Sequence, residues 1–559
     1  MLKNVCRLGF TGTLLVCLSS LAAAQLIPPS VEPGRERQRF TEPPTPRAQP
    51  SGPTVMLPST IAPAGAAQIR LHLKDIRVVG STVYSEAELR SLYAPLIGQD
   101  ISLQEIYEVA RAITAKYGND GYVLSRAIIP PQNLGRSGAT VRIQIVEGYV
   151  DRVEWPASLS RYRNFFSDYE AKIITDRPVN VRTIERYLLL ASDLPGLKFS
   201  SSLRPSATQP AAATLVVEVA QKPLDLMARV DNRGTQARGP NEFLTSASFN
   251  NLFGQHESLT VSYAGSFQLN ELQYIAANYR QVLNSEGLTF FVNASDSWGK
   301  PGTLQLETLQ YKNRGPYFES GLSAPVVRTR EKNLTLTGLF FASNSASNVL
   351  DAPFNRDRLR GIRLKADADA ADTFNGVNQF NLTFSQGFDG LGSTQNGNPL
   401  ASRAFGKVDF NKIEGTAVRT QPLFAGFSMQ IAAYAQYAFD PLLAPEECGY
   451  GGKQFGRAFD PSQFTGDRCW MASAELRYDP PARGGALPFT QVYGFLDRGE
   501  ISHIQPAAGT PKSQDGTSTG VGVRFNWQNH TDADLSVAKA IDATNNHDWR
   551  FFFAVTVRN

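Results

Sequence analysis

The chain has 559 residues, 42% of them hydrophobic and 19% charged, with 33 Phe, 19 Tyr and 5 Trp, a composition that excludes disorder throughout. Its 55 Lys+Arg against 51 Asp+Glu leave a net charge of +4, too balanced for a nucleic-acid binder. A mean hydropathy of −0.24, without a central apolar run of about 18 residues, excludes a polytopic helical membrane protein but leaves open a β-barrel, whose lipid-facing residues are only every second one.

Residues 1–24 read as an export signal: Lys3 and Arg7 are the charged start, Leu8 to Leu21 is largely apolar, and Ala22-Ala23-Ala24 offers a cleavage site before Gln25. A lipoprotein anchor at Cys17 is disfavoured by the bulky Val16. The mature chain then keeps Cys448 and Cys469, which bracket a Gly-rich loop and in an exported protein read as a disulfide near the outer ends of adjacent strands. No His lies near them, and His72, His256, His503, His530 and His547 show no metal-ligand spacing, so neither a metal nor a cofactor is expected.

Residues 25–69 hold ten prolines between Pro28 and Pro63 and read as an extended, solvated tether. Within it Gly34-Arg35-Glu36-Arg37-Gln38-Arg39-Phe40 could form a helical turn or two, but plain tether is preferred to a plug helix.

From 70 to 149 the pattern becomes a small α+β unit. Leu73 to Val79 alternates like a strand and ends at Gly80. Ser85-Glu86-Ala87-Glu88 and Ser102-Leu103-Gln104-Glu105 are capping boxes opening two helices. The second keeps Leu103, Ile106, Ala110, Ile113 and Tyr117 on one face, with Gly118 as its stop. Strands at 121–129 and 140–147 complete the order β-α-α-β-β, and residues 150–222 repeat it.

The last 336 residues, 224–559, have no helical period. Leu259, Val261 and Tyr263 interleave with Thr260 and Ser262, and Phe427, Met429, Ile431, Tyr437 and Phe439 do the same against Ser428, Gln430 and Gln436. One lipid face and one polar face are what a closed transmembrane barrel requires, and this length suits about 16 antiparallel strands. Gly516-Thr517-Ser518-Thr519-Gly520 fits G-x-S-x-G, but the elbow of a hydrolase needs a buried strand before it and a helix after it. Here a polar stretch precedes and an alternating strand follows, so the motif reads as a loop-to-strand junction and the chain as no enzyme.

Gly121-Tyr122-Val123-Leu124-Ser125-Arg126-Ala127, then Pro130-Pro131-Gln132 and Val141 to Gly148, resemble a POTRA (polypeptide-transport-associated) domain of the ShlB/FhaC type. Pro441 to Glu447, Gly456-Arg457-Ala458-Phe459 and Thr465-Gly466-Asp467 resemble the sixth extracellular loop of two-partner-secretion transporters. In that family the loop reads V-R-G-F/Y; Arg457 and Phe459 match, Gly456 stands for Val, and Ala458 stands for Gly, a residue that reaches positive φ more readily. Phe495-Leu496-Asp497-Arg498-Gly499 resembles the family's F-x-D-x-G strand, and Ser385 to Gly392 a recurrent strand-loop sequence. The resemblance, over 70–559, implies two periplasmic POTRA domains (70–149 and 150–222) before an outer-membrane barrel (224–559) of a Gram-negative bacterium.

It further implies a loop folded into the pore, Arg457 on Asp497 with Phe459, Phe495 and Gly499 around them, and export of a large haemolysin- or adhesin-like partner exoprotein. Client contacts are expected on the edge strand carrying Tyr122, Leu124 and Arg126 and on the helix face Leu103, Ile106, Ala110 and Ile113. An outer-membrane protein insertase of the same superfamily and a passive porin or receptor are the alternatives. Outer-membrane lipid is the other expected partner.

Overall fold

A computed structural model of the chain describes residues 27–41, 45–49, 61–135, 138–481, 489–541 and 548–559; the segment read as an export signal lies outside them. The described N-terminal residues form two 3-10 turns, Pro29–Val31 and Pro33–Arg35, and a five-residue helix α1 (Glu36–Phe40). A proline at the first or second position presets each turn's φ and removes an N–H that would lack a partner.

Two α+β units follow. In the first, β1 (Arg70–Val79), α2 (Glu86–Arg90), β2 (Asp100–Ser102), α3 (Leu103–Asn119), β3 (Arg126–Ile128) and β4 (Ala139–Val146) form a sheet of order β2-β1-β4-β3. Both capping boxes are present: Ser85 and Ser102 accept from the Glu88 and Glu105 N–H groups, and the two glutamates reach back. Gly118 does not stop α3, which runs on to Asn119; the left-handed residue is Gly121, φ 98°. Ile106, Val109, Ala110, Ile113 and Tyr117 of α3 are buried against Leu73, Ile76, Val141 and Ile143 of the sheet. Full burial of one such larger side chain is worth about 1.5–3 kcal/mol, so Ile113→Asp would unfold the unit.

The second unit repeats the plan with β5 (Tyr149–Glu154), α4 (Arg163–Thr175), α5 (Val181–Ser192), β6 (Leu197–Pro205) and β7 (Ala212–Gln221). In each unit the first strand lies parallel to the last, β1 to β4 and β5 to β7, and the third element of the sheet is antiparallel.

From Leu224 onward antiparallel neighbours close a barrel of sixteen strand positions among the described residues. Lys312–Arg314 and Tyr317–Arg328 share one position, since both pair with Thr289–Gly299 and Lys332–Val349. Trp549–Arg558 pairs with Leu224–Asp231, so no strand edge faces hydrocarbon. The period of two sets the site. On Phe489–Ser502, Tyr493, Phe495, Asp497 and Ile501 point into the lumen, while Val492 and Leu496 are exposed outside. Short turns such as 251–256 and 283–288 lie on the side of the α+β units, and the longest connections, 388–410 and 439–467, lie on the other.

Residues 27–41 correct the reading of 25–69 as plain tether. They lie inside the barrel, with Val31 packed on Leu306 and Tyr311, and Phe40 on Leu244 and Tyr274. The apolar content of the segment is small, and its burial depends on partners far along the chain. Beyond it, the Arg47 and Ala48 N–H groups donate to Asp369, and the Gln49 N–H to the Arg330 carbonyl at 2.9 Å. This strap leaves the lumen on the side of the α+β units.

Candidate functional site: the barrel lumen

The long connection 439–467 turns back into the lumen. A small hairpin of Cys448–Tyr450 against Phe464–Gly466 stiffens it, and Arg457 sits near its tip. Arg457 donates from Nε to Asp497 Oδ2 at 3.0 Å and from Nη2 to Oδ1 at 2.8 Å, a bidentate fork that its backbone N–H joins at 3.0 Å. Its Nη1 bonds Glu475, its Nη2 the Ser473 hydroxyl at 3.0 Å, and its guanidinium lies 3.6 Å from the Phe495 ring centroid. Asp497 is fully buried and Arg457 nearly so.

Phe459 packs on Tyr450 and Phe464, with centroids 5.5 and 5.4 Å away. The wall makes room with glycines: a Cβ on Gly499 would lie 2.6 Å from Tyr450, one on Gly516 2.9 Å from Phe459, and one on Gly520 2.6 Å from Phe495. Gly516 and Gly520 of Ser513–Trp527, with Gly499 on the neighbouring strand Phe489–Ser502, form a smooth slot. Ser518, between Gly516 and Gly520, is therefore within a strand and not at a loop junction; its hydroxyl, fully buried, donates to Asp497 Oδ2 at 3.2 Å. The G-x-S-x-G match is a docking slot for the loop.

Gly456 takes the left-handed conformation, φ 70°, and its Cα faces the Tyr450 ring so closely that a Cβ would stand 2.7 Å away. Ala458 is not among the positive-φ residues, so the Gly-to-Ala departure leaves the backbone unstrained, and its carbonyl accepts from Arg550 at 2.9 Å. Cys448 and Cys469 are joined. Contrary to the expectation of two strand ends, Cys448 is on the loop hairpin and Cys469 on the wall strand Arg468–Tyr478, so the bridge fastens loop to wall.

Beside the loop lies the N-terminal segment. Arg35 bonds the Ala444 carbonyl at 2.7 Å and pairs with Glu447 at 3.3 Å; Glu36 pairs with the fully buried Arg238 at 3.2 Å; Arg39 pairs with Glu242. The Pro33 and Val31 carbonyls accept from Ser297 at 3.0 Å and Asn313 at 2.9 Å. Glu446 is gripped by Arg363 and Lys412, and Glu447 by Arg403 at 2.9 Å. Sequence reasoning missed Glu36, Arg238, Glu446 and Glu475; the one signal was that a charge at an inward strand position, such as Arg363 or Lys412, demands a partner.

The expected client face is corrected. Ile106, Ala110 and Ile113 are fully buried core and Leu103 is half-buried against them. Tyr122 packs on the first unit's core and Leu124 on the second's. Only Arg126, on the three-residue β3, is exposed. The long exposed sheet edge is β6 in the second unit.

A lipid-facing barrel closed by an inward loop, joined to tandem α+β units, defines an outer-membrane transporter of the POTRA-plus-barrel class. Residues 71–148 match the ShlB-type POTRA domain, and residues 213–525 match the haemolysin secretion/activation protein ShlB/FhaC/HecB family. The chain belongs to that family, and its function is translocation of a partner exoprotein in two-partner secretion. It is similar to the outer membrane transporter CdiB of Dickeya dadantii, at 22% identity over 81% of this chain and 80% of that protein. The heme/hemopexin transporter protein HuxB of Haemophilus influenzae is likewise 22% identical over 81% and 80% of the two chains. In fold, CdiB from Escherichia coli superposes with a TM-score of 0.72 at 19% identity, covering 91% of this chain and 94% of that one. CdiB from Acinetobacter baumannii gives 0.61 at 16%, covering 97% and 98%.

Proposed function

We propose that the two α+β units stand in the periplasm and receive an unfolded partner, a large haemolysin- or adhesin-like exoprotein, which then threads the barrel. The edge of β6 suits strand addition, because alternate residues along its nine-residue length direct backbone groups outward and most of its side chains are exposed. Arg457 on Asp497 is the closed position of the loop, and residues 27–41 are the plug; passage requires both to yield. The observation that carries this reading is the double occupancy of the lumen by segments of the chain itself. A passive porin would keep a water-filled bore. Ser518 is assigned to the loop dock through its bond to Asp497.

Tying plug to loop tests the reading. A Cβ on Gly34 would lie 2.7 Å from Pro445 Cβ, so a separation of the two backbones by about 1 Å brings the pair to the spacing of about 3.5–4.5 Å that a disulfide needs. The Gly34→Cys/Pro445→Cys variant should stop secreting when oxidised and resume under a reductant that leaves the parent protein's secretion unchanged. Undiminished secretion by the crosslinked form would mean that plug and loop stay put during transport.

A further inference from the structure

Where the second α+β unit meets the barrel turns, a cavity of about 410 Å³ opens, lined by Arg161, Arg163, Phe165, Gly254, His256 and Leu283 among others. None of its lining residues is acidic, and neither Arg161 nor Arg163 has an ion-pair partner among the described residues. The 3-10 turn Ala157–Tyr162 runs directly into the thirteen-residue α4 at Arg163, so both arginines are carried on one helical run. Arg161 lies flat over the turn: a Cβ on Gly254 would be 3.0 Å from its Nη2.

His256 is the independent sign of a ligand. It is only 5% exposed, its Nδ1 is buried without a hydrogen-bond partner, and its ring is held 4.1 Å from Phe165. The turn is not loosely placed, because Asn251 accepts from the His256 N–H at 3.0 Å and donates to the Tyr162 hydroxyl at 2.6 Å. The neighbouring Glu257 carboxylate is already occupied by the Gln255 N–H at 2.8 Å and the Phe253 N–H. Two guanidiniums without ion-pair partners and an orphaned imidazole nitrogen make a site for a phosphate.

The surroundings name its carrier. Leu252 and Phe253 of one turn and Leu283 of the next are exposed apolar side chains, and Leu283 continues the outward row of Ile275 and Ala277 on Gln273–Val282. The cavity thus sits where the hydrocarbon wall ends. We infer that it binds the phosphodiester headgroup of a phospholipid in the leaflet on the side of the α+β units, with Leu252, Phe253 and Leu283 against the acyl chains. Such a lipid staples the second unit to the membrane plane beside the barrel mouth. The inference is independent of how the exoprotein passes.

Native mass spectrometry of the full chain in detergent tests it, with phosphatidylglycerol, phosphatidylethanolamine and diacylglycerol of identical acyl chains offered at equal concentration, and inorganic phosphate in a separate arm. Both phospholipids should be retained and diacylglycerol should not. Arg161→Gln/Arg163→Gln, at exposed positions and with heat-modifiability unchanged, should retain at least tenfold less phospholipid. His256→Leu should fall between the two. Equal retention by the arginine variant, or equal retention of diacylglycerol, overturns the site. Saturation by inorganic phosphate without phospholipid retention makes it a free-anion pocket and overturns the lipid assignment.

Discussion

Residues 439–467 and residues 27–41 fill one lumen, the first held by side chains and a covalent bridge, the second by three ion pairs and two backbone carbonyls without a covalent tie. Arg457 meets Asp497, Glu475 and Ser473 at once, and the Cys448–Cys469 bridge pins the hairpin to the wall. The plug offers the Val31 and Pro33 carbonyls to Asn313 and Ser297, with ion pairs at Arg35, Glu36 and Arg39. Any polypeptide carries carbonyls, so another chain can take over those contacts. A passing chain reproduces the contact at Asp497 only where it presents an arginine in register, because the fork is a side-chain feature. The loop is registered to its wall, whereas the plug is exchangeable.

The sharpest way to break that contrast is at the fork. Truncating one partner of a desolvated pair costs about 3–5 kcal/mol, less where lumenal water reaches it. Arg457→Ala and Asp497→Ala should each cut secretion at least tenfold while a heat-modifiable barrel still forms. The double variant should be little worse than either single one, because both remove the same contact; additive losses would show that the loop docks elsewhere.

A smaller effect is expected at the plug. Arg35→Ala leaves Glu447 with Arg403, so secretion should persist. The ion conductance of the purified barrel in planar bilayers should rise several-fold, and an unchanged conductance would place the plug's grip outside that pair.

Smaller again is Ser518→Ala, which removes the 3.2 Å bond to Asp497 while the shorter bonds from the Arg457 fork and N–H remain. Secretion should stay within about twofold of the parent. A loss equal to that of Arg457→Ala would dissolve the ranking of the wall contacts.

The weakest effect lies away from the membrane and gives the comparison its baseline. The Ser102 N–H and hydroxyl hold the Glu105 carboxyl below its usual range. Burial pushes Glu147 up, but the Thr82 hydroxyl and N–H, with Tyr117 and the Val83 N–H, bring it below as well. Both groups therefore contribute stability that is complete above the unfolded carboxylate range near pH 4.3 and is lost as pH falls through the lower folded values. Hydrogen exchange in α3, corrected for intrinsic rates, should speed up below about pH 4; protection that held or grew there would show the caps to be idle.

Much of this was legible because it is periodic. The alternation on 224–559 carried the barrel, two capping boxes carried α2 and α3, and the motif residues Arg457 and Asp497 pointed at each other through a family pattern. What stayed hidden depends on pairs far apart in the chain. Arg35 and Glu447 are separated by 412 positions, and nothing local to either segment marks the other as its partner. Ile106, Ala110 and Ile113 illustrate the converse failure: an apolar helix stripe reads the same whether it meets a client or its own sheet.

The strap at Arg47–Gln49 bears on how the bore reseals. It is pinned to Asp369 and Arg330, and only residues 42–46 separate it from the described end of the plug. Six extended steps reach about 20 Å, so a displaced plug whose strap holds remains within that radius of its seat. Its return is then a first-order event at an effective concentration on the order of millimolar. Closure after each passage follows at a rate set by the leash, whatever the number of transporters in the membrane. A free peptide of the same sequence would have to match that millimolar competitor to keep the barrel shut.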